Sequence, residues 1–282
     1  MDGSIEALET PSGKGAGDEN FPVGSFLIDR RLRPAVATYY AFARCTDDIA
    51  DNPDLAPQEK VARLDAYDAG LRAGALGPPT AVRLRDVLAA HGVGREVASD
   101  LLVAFRQDAL QSRYKDWDAL LSYCRFSAHP VGRFLLQLHG EPVETGPPGD
   151  ALCAALQVLN HLQDLGKDRA ALDRVYLPQD WMGEAGISET ALDAPAVSPG
   201  LRLVIDRCLD GCDRLLANAK PLAGMIRSRR LAAEVAVIHR LAERLAGQLR
   251  HRDPLAERIE HRAHDLALGV AAGLGVFLFR LP

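Results

Sequence analysis

The stretch GDALCAALQVLNHLQDLGKDRA, residues 149–170, decides the fold. Leu156, Leu159, Leu162 and Leu165 fall on the apolar sides of a helix, while Gln157, His161, Asp164 and Asp168 sit at offsets 0, 4, 7 and 11 on one face, with Asn160 beside them. A core helix thus gives one row to polar and acidic groups. The same helical period runs through nearly the whole chain, and no sustained alternation of the kind strands need appears anywhere. The fold is therefore expected to be all α, with helices near 32–52, 57–73, 80–91, 93–113, 116–140, 149–170, 198–219, 228–250 and 254–278. Joints at GALGPPT, 74–80, and GEPVETGPPGD, 140–150, are short, so one domain over 20–282 is the economical reading.

A second row matches the first. In YYAFARCTDDIAD, Tyr40, Arg44, Asp47 and Asp51 have the same four offsets, with Val36, Ala43, Ile49 and Ala50 as apolar neighbours. A solvated helix face is the ordinary explanation of one such pair of acids. Like charges at i, i+4 repel, however, and anions near a helix C-terminus oppose its dipole. Two such rows in one chain point to carboxylates that share cations. Oxygen ligands without histidine or thiolate at the ligand positions select a hard ion, and Mg²⁺ held by one or two carboxylates leaves room for a phosphorylated ligand. No Walker loop or dinucleotide fingerprint offers another phosphate site.

Composition excludes other classes. The net charge of -5 and a pI near 5.9 give no footprint for nucleic acid, although Arg229 and Arg230 form a small basic cluster. Five cysteines without a CxxC pair fit a reduced, cytoplasmic chain. Residues 1–19, rich in Gly and acid, read as a disordered tail without a signal pattern. The uncharged run Leu266–Phe279 has 14 residues, short of the roughly 20 a membrane span requires, and is expected to be a final core helix. Its alternative is peripheral contact at the inner membrane, which would suit a lipid substrate.

The segments FPVGSFLI (21–28), LRPAVATYYAFARCTDDIAD (32–51), YCRFSAHPVG (123–132), NHLQDLGKD (160–168) and RVYLP (174–178) occur in order, and with them the chain resembles the squalene/phytoene synthase family. The resemblance implies an isoprenoid synthase helical bundle around a central cavity. It implies that Asp47 and Asp51, with Asn160, Asp164 and Asp168, bind two or three Mg²⁺ ions that bridge to a prenyl diphosphate. Tyr40, Arg44, Gln157 and Tyr176 occupy family-like positions near that site, Lys167 stands within the second motif, and Arg230 is a candidate for a diphosphate oxygen. Pro130 should kink its helix, which would set Phe126 and His129 near the cavity.

Departures from the family pattern choose among its members. Condensing members carry a KSF-like element where this chain has Glu19, Asn20 and Phe21, and tend to read NxLRDxxED where it has Gln163 and Lys167. ENFPV, YCRFSAHPVGRF, QDLGKD and DRVYLPQDW together resemble the branch that converts presqualene diphosphate to hydroxysqualene in bacterial hopanoid biosynthesis. That implies ionisation, rearrangement and capture by water without NADPH, and functional coupling to a presqualene diphosphate synthase. Head-to-head condensation of two prenyl diphosphates is the alternative within the family. A non-catalytic helical protein that uses the same fold as an assembly or lipid-binding module is the alternative outside it, although such a module would not need all four motif acids.

Overall fold

The computed structural model describes residues 28–74 and 76–279. The tail at 1–19 and the departures at Glu19, Asn20 and Phe21 lie outside the described residues. The elements in order are α1 (Arg33–Asp51), α2 (Pro57–Gly70), α3 (Pro79–His91), α4 (Glu96–Leu110), β1 (Arg113–Tyr114), α5 (Trp117–Ser127) and α6 (His129–Leu138). There follow α7 (Gly146–Gln163), α8 (Leu165–Leu172), β2 (Val175–Pro178), α9 (Gln179–Glu184), α10 (Pro199–Ala219), α11 (Leu222–Met225), α12 (Arg229–His251) and α13 (Ala263–Phe279). The expected all-α class holds. The exception is a short parallel pair, β1 with β2, in register at Arg113 and Val175, too brief for alternation to betray.

Three expected helices are corrected. The one at 116–140 breaks at Ala128 (φ -122°, ψ -45°), two residues before Pro130, whose ring has no N–H to continue the ladder. The one at 149–170 breaks at Asp164 (φ -99°, ψ 14°). The last begins at Ala263 rather than 254, because Asp253 accepts the N–H groups of Val197, Leu255 and Ala256 and builds a loop there.

The chain divides into two compact units. The first comprises the described residues up to Gln111 together with Pro130–Glu141. In it α1 packs on α3 and α4. Phe42 is wholly buried edge-on to Tyr67, and Tyr39 stacks on Phe134 at 4.0 Å while its hydroxyl donates to the Val97 carbonyl at 2.7 Å. The buried polar tip is thus satisfied, and Phe42 and Phe134 serve as core.

The second unit holds Ser112–His129 and the chain from Pro142 onward. Here α7 packs on α5 and α10, α10 on α12, and α12 on α13. The expectation that α13 is a core helix is overturned, since only Asp265, Gly269 and Gly273 are buried in it. Among the described residues no helix is long and apolar enough to cross a membrane.

Candidate active site

The first acidic row stands on α1. Tyr40, Arg44, Asp47 and Asp51 are all half-buried, and the Arg44 guanidinium lies 3.0 Å from Asp47 and 2.6 Å from Asp48. The Asp47 partner was foreseeable from i, i+3 spacing. Asp48 was not singled out, yet it is the buried member of the doublet and takes the shorter of the two bonds. Arg44 thereby fixes one carboxylate and leaves Asp47 a third exposed. The DD doublet itself was the missed signal, because an acid adjacent in sequence points about 100° away and must find its own counter-charge.

The second row crosses the break between α7 and α8. Asn160 ends one row of α7, its carbonyl accepting the Asp164 N–H at 3.0 Å, and the Asp164 carbonyl in turn accepts the Asp168 N–H at 2.8 Å. Hydrogen bonding continues through the bend, but the dipole does not. Asp168 therefore sits in the first turn of α8, where the positive end of a new helix favours an anion, rather than at the end of a long one. Gly166 lets Leu255 pack closely against the start of α8, since a Cβ there would lie 3.2 Å from the Leu255 side chain. Gln163, at the position where the family resemblance places an arginine in condensing members, donates to the Ile259 carbonyl at 2.6 Å and ties the bend to the loop before α13.

Around this bend the side chains converge. Lys167 Nζ, largely exposed, is 3.6 Å from Asp164, and His161 Nδ1 is 4.0 Å from Asp168. The His161 ring stacks on Tyr176 at 3.5 Å, and Tyr176 stacks in turn with Tyr114 and tilts against Tyr123. Burial, and after it the nearby Arg174 guanidinium, push the His161 pKa down to about 3, so the imidazole is neutral and the buried Nε2 has no hydrogen-bond partner. Arg174 and the stacking role of His161 were missed. Only the arginine of RVYLP hinted at the first.

The far end of α8 is clamped. Asp173 has left-handed backbone (φ 50°), which Asp tolerates better than most residues, and the Arg174 N–H returns to the Asp168 carbonyl at 3.2 Å. Arg113 grips Glu189 with two bonds of 2.5 and 2.7 Å and reaches Asp173 at 2.8 Å, while Arg169 also pairs with Asp173. Arg113, the main partner, holds both carboxyls below the usual range.

The other expected residues have neighbours of their own. Phe126 packs beside Arg125, His129 Nδ1 is 3.5 Å from Asp150, and Arg230 is exposed in the first turn of α12. Gln157 is half-buried on α7, one turn before His161. Cys208 and Cys212 are buried and burial pushes both thiols up, which suits core packing and not catalysis.

Among the described residues no group of three or more His, Cys, Asp or Glu could by itself enclose a metal ion. Half-buried carboxylates in pairs nevertheless suit Mg²⁺, which keeps waters and substrate oxygens as its remaining ligands. A sequence model of the family described as squalene/phytoene synthase matches residues 15–265. The chain belongs to the squalene/phytoene synthase family. The match reaches well past residue 178, where the recognisable segments end. Family relatives include hydroxysqualene synthase from Zymomonas mobilis, 43% identical over 96% of this chain and 92% of its own. Hydroxysqualene synthase from Rhodopseudomonas palustris is 46% identical over 90% and 87%. Among solved structures, squalene synthase HpnC from Alicyclobacillus acidocaldarius superposes with a TM-score of 0.73 at 32% identity, over 81% of this chain and 86% of that one.

Proposed function

We propose that the protein converts presqualene diphosphate and water to hydroxysqualene and diphosphate in hopanoid biosynthesis. The observation that carries this reading is identity above 40%, over nearly the full length of both chains, to two hydroxysqualene synthases. The tethering of Gln163 to Ile259 supports it, because that side chain is engaged in structure where condensing members place an arginine.

In this reading Asp47 and Asp51 from α1, and Asn160, Asp164 and Asp168 from the α7–α8 bend, hold two or three Mg²⁺ ions. When bound, Mg²⁺ stabilises the charge that develops on the departing diphosphate. Arg44 keeps Asp47 oriented and Lys167 adds a cation beside Asp164. Tyr40, Gln157 and Arg230 complete the polar contacts to substrate. Tyr176, buried and stacked on His161, supports the bend from the side of β2. Phe126 and His129 contribute to the wall that keeps bulk water from the allylic cation. Loss of the carbon–oxygen bond releases diphosphate, the cyclopropane opens by rearrangement, and one water supplies the new hydroxyl while its proton leaves to diphosphate. The electron count balances without a reductant, so NADPH is not required.

Peripheral membrane contact and functional coupling to a presqualene diphosphate synthase belong to this reading, since substrate and product are lipids. Turnover in ¹⁸O-labelled water tests the chemistry. The alcohol should carry one labelled oxygen, whereas an unlabelled alcohol or a squalene product would overturn water capture.

A further inference from the structure

We infer that α13 and the basic turn before α12 form a docking surface for a bilayer of anionic phospholipid. This deepens the membrane contact proposed above, and its test reads lipid binding without turnover, so it can fail while the reaction stands.

Among the described residues α13 packs chiefly on α12. Asp265, fully buried, accepts from Arg244 and Gln248 at 2.7 Å each and from the Arg262 N–H at 2.9 Å, which pins the start of α13 to α12. Gly269 and Gly273, one turn and two turns on, continue the contact. A Cβ on Gly273 would lie 2.7 Å from Val237 and 3.1 Å from the Ala233 carbonyl, so only glycine allows this approach. The neighbouring row is left outward. Leu266, Val270, Leu274 and Leu278 follow at i+4 spacing, each at least half exposed, and Phe279 beyond them is 78% exposed. At 1.5 Å per residue that row runs roughly 18 Å. A contiguous apolar row of this length on a soluble surface marks an interaction site. Among the described residues no helix is long and apolar enough to cross a membrane, and an exposed apolar row along one helix face is the form taken by elements that lie in a membrane interface.

Charge selects the occupant. From residue 214 to residue 233 the sequence contains Arg214, Lys220, Arg227, Arg229 and Arg230 and no acid. Lys220, Arg227, Arg229 and Arg230 are exposed. Ala223 and Gly224 of this segment line an open cavity of about 260 Å³ together with Gly275, Val276 and Phe279, which sets α11, just ahead of the basic turn, beside the last turn of α13. An apolar row flanked at one end by like positive charges complements acyl chains beneath anionic headgroups. A second copy of the same surface would bring those charges against each other.

Vesicle flotation of the full chain decides it, with phosphatidylcholine vesicles compared against vesicles one third phosphatidylglycerol. The wild-type chain should float with the anionic vesicles, and much less with phosphatidylcholine or in high salt. Leu274→Glu with Leu278→Glu should abolish flotation while circular dichroism keeps the helix content. Arg227→Gln with Arg229→Gln should weaken binding to anionic vesicles by about thirtyfold. A wild-type chain that stays at the bottom with both vesicles overturns the inference whatever the variants do. So does a concentration-dependent dimer that Leu274→Glu dissociates, because the face would then belong to a second copy.

Discussion

Replacing His161 with Phe should remove most of one acid-side loss of stability. The ring is 8% exposed and stacked on Tyr176, and burial, with Arg174 behind it, lowers its pKa to about 3. In the unfolded chain the same group titrates near 6.5. Because the folded pKa is depressed, the unfolded state takes up a proton that the folded state refuses. Stability is therefore full above about pH 6.5 and is lost as pH falls toward 3, at up to about 1.4 kcal/mol per unit. Between pH 7 and 5 the loss from this residue comes to about 2 kcal/mol. Phe retains the stacking ring and does not titrate. Other groups, including His261, whose pKa burial also lowers, are common to both proteins and cancel in the difference. Urea unfolding at pH 7 and pH 5, followed by circular dichroism, measures both losses. The wild type should lose about 2 kcal/mol more than His161→Phe. Equal losses would refute a neutral, buried imidazole beside the acidic bend.

Asp164→Asn and Asp168→Asn should each lower diphosphate release by at least about a hundredfold with helix content nearly unchanged, and activity that persists would remove these residues from the metal site. Arg113→Met breaks the clamp on Asp173 and Glu189, whose carboxyls it holds low. Stability from that pairing is present at neutral pH and lost as pH falls below about 4, so the variant should be about 1–2 kcal/mol less stable at pH 7 and show a flatter acid limb. Gly273→Ala forces a Cβ against the Ala233 carbonyl and should cost about 1–3 kcal/mol, seen as a lower thermal midpoint.

Much of the architecture was legible because helical periodicity is a long, redundant signal. The break at Ala128 was announced by Pro130, whose missing donor is visible in any sequence. The break at Asp164 was not, since QDLGKD preserves helical spacing on both sides and contains no proline to mark it. Hydrophobicity misled at α13. Its composition is that of a core helix, but burial depends on what packs against it, and the glycines that seat it on α12 leave its other faces uncovered. At the site, the acids of each row and the Arg44–Asp47 pair could be read from i, i+3 and i, i+4 offsets. The charges that meet across the tertiary fold, Arg113 with Glu189 and Arg174 beside His161, are separated in sequence or lie in non-helical chain, where no periodic rule pairs them.

The most direct test of the account is mass spectrometry of the products formed from presqualene diphosphate with Mg²⁺ and no NADPH, beside a parallel incubation with farnesyl diphosphate. Hydroxysqualene from the first substrate and no thirty-carbon product from the second is the predicted result. A thirty-carbon product with diphosphate release from farnesyl diphosphate alone would contradict it and make the protein a condensing enzyme.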